Sequence, residues 1–216
     1  MTASTGTCGE CLHPPLRMND LQALRQHLKR VRLSLSDRAQ AFASASIAGQ
    51  IQKLPRFRRA KTLAGYFGSA GEIDPMPLMK QAAALGKHCY LPVLHPFLHG
   101  RLLFCRWQPG DELVRNRYEI PEPHIHADRL IAARNLDLVI VPLLGFDSDC
   151  NRIGMGGGYY DRSFAFTRRF RHIKGPYLLG LAHESQRVER LEAQPWDVAP
   201  DAVITEQNLY LRQWRA

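Results

Sequence analysis

The chain has 216 residues, of which 45% are hydrophobic and 23% charged, and its formal net charge at pH 7 is +9. This composition is ordinary for a soluble globular protein, and the length suits one domain with a substantial core. No apolar run approaches the roughly 18 residues of a membrane-spanning helix, which excludes that class. The five cysteines are scattered and odd in number, which favours free thiols in a reducing compartment. We therefore expect a cytoplasmic protein.

The first residues are rich in Ser, Thr and Pro and lack the apolar stretch of a secretory signal. We predict that residues 1–17 form a disordered extension and that residues 18–216 form a single domain. Cys8 and Cys11 are spaced as C-x-x-C with His13 nearby, but no second pair of ligands follows. Because a structural metal site normally needs four ligands, two thiols in a tail are favoured over a metal site.

Leucine and valine recur at helical spacing over residues 19–35, which predicts an amphipathic helix. Ser36 is placed to cap a second helix, which should end near Leu54 because Pro55 follows. Further along, strands are predicted over 62–67, 88–93, 101–107, 136–144, 177–182 and 202–205, with helices over 77–85 and 159–170.

Near-continuous apolar strands that alternate with helices are typical of a mostly parallel sheet covered on both faces. The sequence thus predicts one α/β domain of the Rossmann-like, three-layer α/β/α class. In such folds ligands bind beyond the carboxyl ends of the strands. A glycine-rich segment follows the strongest predicted strand, so we expect the site there.

Four of the five residues at 154–158 are glycine, and they stand between a predicted strand and a predicted helix. Glycines allow the backbone to approach a ligand and to adopt positive φ, and successive N–H groups can bind an anion. Arg152 adds a fork of donors suited to phosphate, and Asp161 is suited to a magnesium ion that accompanies the phosphates. Tyr159 follows the last glycine, which excludes both a P-loop and a dinucleotide fingerprint. A tight turn without a ligand is the alternative.

The segment resembles the pattern of the 5-formyltetrahydrofolate cyclo-ligase family, also called methenyltetrahydrofolate synthetases. That pattern is a strand ending in Pro, then Phe-Asp, then Arg-x-Gly-x-Gly-x-Gly-Tyr/Phe-Tyr-Asp. Here Pro142 and Phe146-Asp147 precede residues 152–161, which read Arg-Ile-Gly-Met-Gly-Gly-Gly-Tyr-Tyr-Asp. Other landmarks occur in the family's order from Leu24 onward: Leu24-Arg25, Glu72-Ile73-Asp74, Leu91-Pro92, Glu122-Pro123, Gln186, Asp197 and residues 201–205.

The resemblance implies a three-layer sheet and a reaction in which 5-formyltetrahydrofolate and ATP give 5,10-methenyltetrahydrofolate, ADP and phosphate, with Mg²⁺. It places ATP on Arg25, Arg152, Ile153, Gly154, Met155, Gly156, Gly157, Gly158, Tyr159 and Tyr160. It places the folate on Phe67, Glu72 and Tyr159, magnesium on Asp161 and Asp201, and catalysis on Arg152 and Tyr159. It also implies no nucleic-acid or membrane partner, and we expect a monomer.

Each residue has a simpler alternative when it is taken alone. Glu72 could be a turn acid, Arg25 a solvated helix residue and Phe67 part of the core. The sequence also departs from the family, since Leu21 stands where members often carry Lys. Met155 replaces a basic residue of some members, so its side chain is not expected to contact phosphate.

Two other functions compete with the ligase. Basic residues cluster over 25–32, 53–61 and 168–174, and a nucleic-acid-binding surface would explain this charge but not the glycines. An enzyme of the same fold class that acts on a sugar phosphate or a CoA thioester would explain the glycines without ATP. The ligase also suits the lack of a nucleophile–base pair, because phosphoryl transfer depends on positioning and charge neutralisation.

Overall fold

The structure is a computed structural model that describes residues 21–169 and 175–213. The predicted extension over 1–17, the Cys8 and Cys11 pair and part of the third basic cluster lie outside the described residues. No helix within the described ranges is both long and apolar enough to cross a membrane.

The helices are α1 (Leu21–Leu33), α2 (Asp37–Lys53), α3 (Pro55–Arg59), α4 (Met76–Ala84), α5 (Tyr159–Ser163) and α6 (Phe166–Arg169). Ser36 caps α2 as predicted, because its side-chain oxygen accepts a hydrogen bond from the Ala39 N–H at 3.3 Å. The predicted helix over 159–170 is instead divided into α5 and α6. Phe164 causes this break: it is fully buried against Phe104 and Tyr160, and its backbone leaves the helical region at φ −109° and ψ 13°.

The strands are β1 (Thr62–Ala64), β2 (His88–Leu94), β3 (Leu102–Trp107), β4 (Leu113–Arg115), β5 (Pro121–Pro123), β6 (Leu130–Ile131), β7 (Leu138–Pro142), β8 (Gly145–Phe146), β9 (Arg152–Ile153), β10 (Tyr177–Leu181), β11 (Ala202–Ile204) and β12 (Leu209–Leu211). Eight of them form one sheet in the order β12-β11-β10-β7-β1-β2-β3-β6. The strands from β11 to β2 run parallel, whereas β12, β3 and β6 pair antiparallel at the two edges.

Alternate residues of the central strands enter two different cores. Leu138 and Ile140 face a core shared with α2, α3 and α4, whereas Val139 and Val141 face a core that contains Phe164. This alternation is what a sheet buried on both faces requires. The predicted α/β class with a mostly parallel central sheet is thus confirmed.

Helix α1 lies beyond the carboxyl ends of the strands rather than on a face of the sheet. Its Leu24 and Leu28 are buried against Leu144, Ile153 and Val188. The helix therefore covers the β8–β9 hairpin, from which the glycine loop emerges. This packing brings Arg25 of α1 to the glycine loop.

Candidate active site

The glycine loop, residues 154–158, leaves the β8–β9 hairpin and enters α5 at the carboxyl end of β7. Gly156 has φ +100° and Gly158 has φ +62°, conformations that L side chains rarely adopt. The hairpin itself is fixed by the buried Asp147, whose Oδ1 accepts the N–H groups of Asp149 at 3.1 Å and Asn151 at 2.9 Å. The loop thus starts from a rigid base.

Arginines bind the carbonyl groups of the loop. Arg25 Nε donates to the Gly154 carbonyl at 3.0 Å, and the Arg162 guanidinium donates both to the Gly157 carbonyl and, at 2.9 Å, to the Gly100 carbonyl. By contrast, the N–H groups of residues 154–158 donate to no acceptor within the described part of the chain. Unpartnered N–H groups beside guanidinium groups are the arrangement of an anion site.

Arg152 lies beneath the loop, with only 6% of its side chain exposed. Its Nη2 lies 2.7 Å from Asp161 Oδ1, and its Nε donates to the Val198 carbonyl at 3.0 Å. Since Arg152 precedes the glycines and Asp161 follows them, this ion pair closes the loop at its base. The structure therefore brings Arg25, Arg152 and the glycines together, and their role in ATP binding stays a prediction.

The two carboxylates predicted for magnesium have different surroundings. Asp161 Oδ1 accepts from Arg152 and, at 3.0 Å, from the Val198 N–H. Asp201 precedes β11 at the amino ends of the parallel strands, and its Oδ2 accepts the Leu178 N–H at 2.7 Å. Burial raises the pKa of Asp201. No group of three His, Cys, Asp or Glu residues suited to a metal occurs within 21–169 and 175–213.

Tyr159 lies on the outer side of the loop in a groove of about 700 Å³. Its hydroxyl lies 2.8 Å from the Tyr118 hydroxyl and accepts a hydrogen bond from Arg117 Nη2 at 2.6 Å. These two hydrogen bonds lower the pKa of Tyr159, the one with Tyr118 having the larger effect. The groove combines aromatic faces with cations, including Arg162 at 5.9 Å from the Tyr159 ring centre.

Three other residues were predicted to bind ATP, and their side chains differ in exposure. Ile153 is buried in the core beneath α1, and Tyr160 stacks on Phe164 at 6.1 Å between ring centres. The Ile153 side chain is buried, which leaves its backbone to a nucleotide, whereas the Tyr160 side chain is partly buried. Met155 is 57% exposed at the tip of the loop.

Glu72, predicted for the folate, lies in the turn after β1. Its Oε1 is 3.1 Å from Arg32 Nη1, and its Oε2 accepts the Ser69 N–H at 3.1 Å. Burial, and secondarily the Glu72 charge, raise the pKa of Tyr160, which links this turn electrostatically to the glycine loop. Phe67 is half-buried and packs against the core that contains the central strands.

Four residues of this region were not predicted as site residues: Arg32, Arg117, Tyr118 and Arg162. Their partners are distant in sequence, since Arg32 is 40 residues from Glu72 and Tyr118 is 41 residues from Tyr159. The one local signal was the place of Arg162 directly after Asp161.

Comparison with known proteins shows which family the chain belongs to. The family model of the 5-formyltetrahydrofolate cyclo-ligases matches residues 17–206. The 5-formyltetrahydrofolate cyclo-ligase of Escherichia coli K12 is 37% identical over 183 residues, covering 85% of this chain and 98% of that protein. That of Haemophilus influenzae is 36% identical over 177 residues, covering 82% and 92%.

Among solved structures, the 5,10-methenyltetrahydrofolate synthetase of Aquifex aeolicus superposes with a TM-score of 0.75 at 28% identity. That superposition covers 91% of this chain and 95% of the other. The family model, the two bacterial relatives and the shared fold together show that the chain belongs to the 5-formyltetrahydrofolate cyclo-ligase family.

Proposed function

We propose that this enzyme converts 5-formyltetrahydrofolate and ATP into 5,10-methenyltetrahydrofolate, ADP and phosphate. The observation that carries the proposal is the glycine loop, where unpartnered N–H groups lie beside Arg25 and above Arg152. This arrangement offers many donors to a polyphosphate and no nucleophilic side chain. It therefore suits a reaction whose covalent changes occur between two bound substrates.

The chemistry explains why ATP is needed. The N5-formyl group is an amide, so its carbon is a poor electrophile and its oxygen a poor leaving group. The formyl oxygen attacks the γ-phosphorus, a new P–O bond forms, and the bond to ADP breaks. N10 then attacks the activated carbon and loses its proton, and the C–O bond breaks as phosphate departs. Positioning and charge neutralisation are the protein's contribution to these steps.

The structure supports different roles for the predicted residues. The N–H groups of the loop and Arg25 would hold the phosphates, while Arg152 keeps the loop closed from below. Tyr159, in its groove, and Glu72, in the turn after β1, would hold the folate, together with Phe67. Tyr159, which borders the groove, is the proposed catalytic residue, and Arg152, predicted to share this role, is proposed to act through the loop that it closes from below.

We propose magnesium as an accompanying ion of ATP rather than as a resident of a protein-built site. Magnesium is usually held by one or two carboxylates together with substrate phosphates and water, and it would neutralise phosphate charge. Of the two predicted ligands, Asp161 is supported by its place beside the loop, where Arg152 and the Val198 N–H both donate to its Oδ1. Asp201 is less well supported, because it lies at the amino end of β11.

The cytoplasmic location and the monomeric state remain predictions from the sequence. The buried free thiols of Cys89, Cys105 and Cys150 support a reducing compartment.

Ligand-dependent protection against heat tests the nucleotide part of this proposal. ATP with magnesium should raise the melting temperature, whereas CoA, a sugar phosphate or a short RNA at the same concentration should not. Protection by CoA or the sugar phosphate alone would favour the other enzyme class, and protection by RNA alone would favour a nucleic-acid-binding protein.

A further inference from the structure

Arg32, on α1, is a charged residue with only 1% of its side chain exposed. Its Nη1 lies 3.1 Å from Glu72 Oε1, and its Nε donates to the Ala70 carbonyl at 2.9 Å. Removing a guanidinium from water costs free energy unless it is paired and hydrogen-bonded. Arg32 meets that requirement within one short turn, residues 69–72, which supplies both partners of its guanidinium.

The Glu72 carboxylate is held on both oxygens. Oε1 is bound by Arg32, and Oε2 accepts the Ser69 N–H at 3.1 Å and the Ser69 hydroxyl at 3.4 Å. A carboxylate has about four acceptor directions, so these contacts fix its orientation and leave about one direction open. Within the described residues Arg32 is the one cation at ion-pair distance from Glu72.

The backbone of the turn is tied to the same residue. Ala70 and Gly71 have positive φ values of +47° and +78°. A Cβ on Gly71 would lie 3.1 Å from the Arg32 carbonyl oxygen, so only glycine fits without a shift. On the other side of the turn, the buried His183 Nε2 lies 3.1 Å from the Gly71 carbonyl. Arg32 therefore determines where the turn lies as well as how the carboxylate points.

The Glu72 side chain is itself largely buried, with 12% of it exposed. Burial, and secondarily the Glu72 charge, raise the pKa of both Tyr66 and Tyr160. A charge in a largely buried place is screened weakly by solvent. In such surroundings the direction and charge of the carboxylate depend strongly on its one cationic partner.

We infer that Arg32 is a positioning residue for the folate: it holds Glu72 as a charged, oriented acceptor for an N–H group of the substrate's ring system. The inference rests on the proposed function. Arg32 does not contact the substrate, because its guanidinium is buried behind Glu72 and the turn. Its effect is exerted on the folate side of the reaction and not on the nucleotide side.

A double-mutant cycle tests this role, with Arg32→Met, Glu72→Gln and the combination of both. Arg32→Met should raise KM for 5-formyltetrahydrofolate about tenfold or more, as loss of a charged hydrogen bond does, and change KM for ATP by less than about twofold. In the Glu72→Gln background the same change should add little, because Arg32 acts through that carboxylate. Arg30→Met, at an exposed position on the same helix, is the matched control and should leave both constants unchanged.

Arg32→Lys is a second variant in case Arg32→Met does not fold. It keeps the positive charge but cannot bind both Glu72 and the Ala70 carbonyl. It should give a folate KM between those of the wild type and Arg32→Met. Additive effects in the cycle, equal rises of both KM values, or a wild-type folate KM in Arg32→Lys would each overturn the inference. Absence of methenyl product from the wild-type protein would instead reject the proposed function itself.

Discussion

Arg152 and Asp161 form an ion pair of 2.7 Å across the base of the glycine loop. The two residues are nine positions apart, one in β9 and the other in α5, so the pair joins the two elements from which the loop is suspended. With side-chain exposures of 6% and 20%, the pair is largely shielded from water. Both charges are thus part of the loop's architecture as well as of its electrostatics.

Arg152→Ala should therefore weaken both stability and nucleotide binding. The change removes the bonds to Val198 and Asp161 and leaves a shielded carboxylate without its cation. We expect a loss of about 1.5–3 kcal/mol in ATP binding, together with a lower melting temperature of the ligand-free protein. Calorimetric titration and thermal melts measure the two effects. Unchanged ATP affinity in a protein of lowered stability would mean that Arg152 is only structural.

Two glycine substitutions distinguish a loss of stability caused by backbone strain from a loss of ATP binding. Gly156→Ala places a side chain at φ +100° and should cost on the order of 1 kcal/mol in stability even without ATP. Gly154→Ala involves no positive φ, and its Cβ would lie 3.4 Å from Arg152 Nη1, an ordinary contact. It should therefore leave the ligand-free melting temperature nearly unchanged and yet weaken ATP binding, because the methyl group narrows the cradle. Normal ATP binding by folded Gly154→Ala would contradict the cradle.

Asp161→Asn and Asp201→Asn compare the two predicted magnesium ligands. An amide oxygen at position 161 can still accept from Arg152 and Val198, so the shape is retained while the negative charge is lost. We expect Asp161→Asn to raise the magnesium concentration needed for half-maximal activity, and Asp201→Asn to leave it unchanged. Magnesium titration at fixed ATP makes the comparison. If only Asp201→Asn raised the magnesium requirement, the magnesium site would be assigned to the amino end of β11 instead.

His183 should make stability sensitive to mild acid. Burial lowers its pKa, with the Gly71 carbonyl and Glu206 opposing that shift less strongly. Below the usual histidine pKa of about 6.5, the unfolded chain takes up a proton that the folded protein resists. The stability that His183 contributes to the folded protein is therefore complete above a pH of about 6.5. It declines as the pH falls toward the lower pKa of the folded state. His183→Gln keeps a donor for Gly71 and should lose less melting temperature than the wild type between pH about 7.5 and about 5.5. Equal losses would assign the acid sensitivity to other groups.

Local patterns predicted the parts of the molecule that depend on neighbouring residues. The central strands, the Ser36 cap and the glycine loop all follow from short-range signals. The division of α5 from α6 did not, because it arises from the burial of Phe164 against Phe104, on a strand 60 residues earlier. Short edge strands such as β6 and β12 carry too little pattern to be recognised.

The same distinction applies to the site. The sequence places Arg152 and Asp161 together because they flank one loop, whereas Arg32 looks like one of several basic residues on α1. Only the fold shows that Arg32 is turned inward to Glu72 while Arg25 reaches the Gly154 carbonyl, 129 residues away. Helical spacing predicts a polar face; it does not tell which residue of that face another element will bury.

Formation of the methenyl product tests the central claim most directly. Purified protein is incubated with 5-formyltetrahydrofolate, and absorbance of the product is followed with ATP and magnesium, with either one omitted, and with ADP in place of ATP. The glycine-loop account predicts product only when ATP and the divalent metal are both present, with one ADP formed per product. Turnover without ATP, or ATP hydrolysis that leaves the folate unchanged, would contradict it.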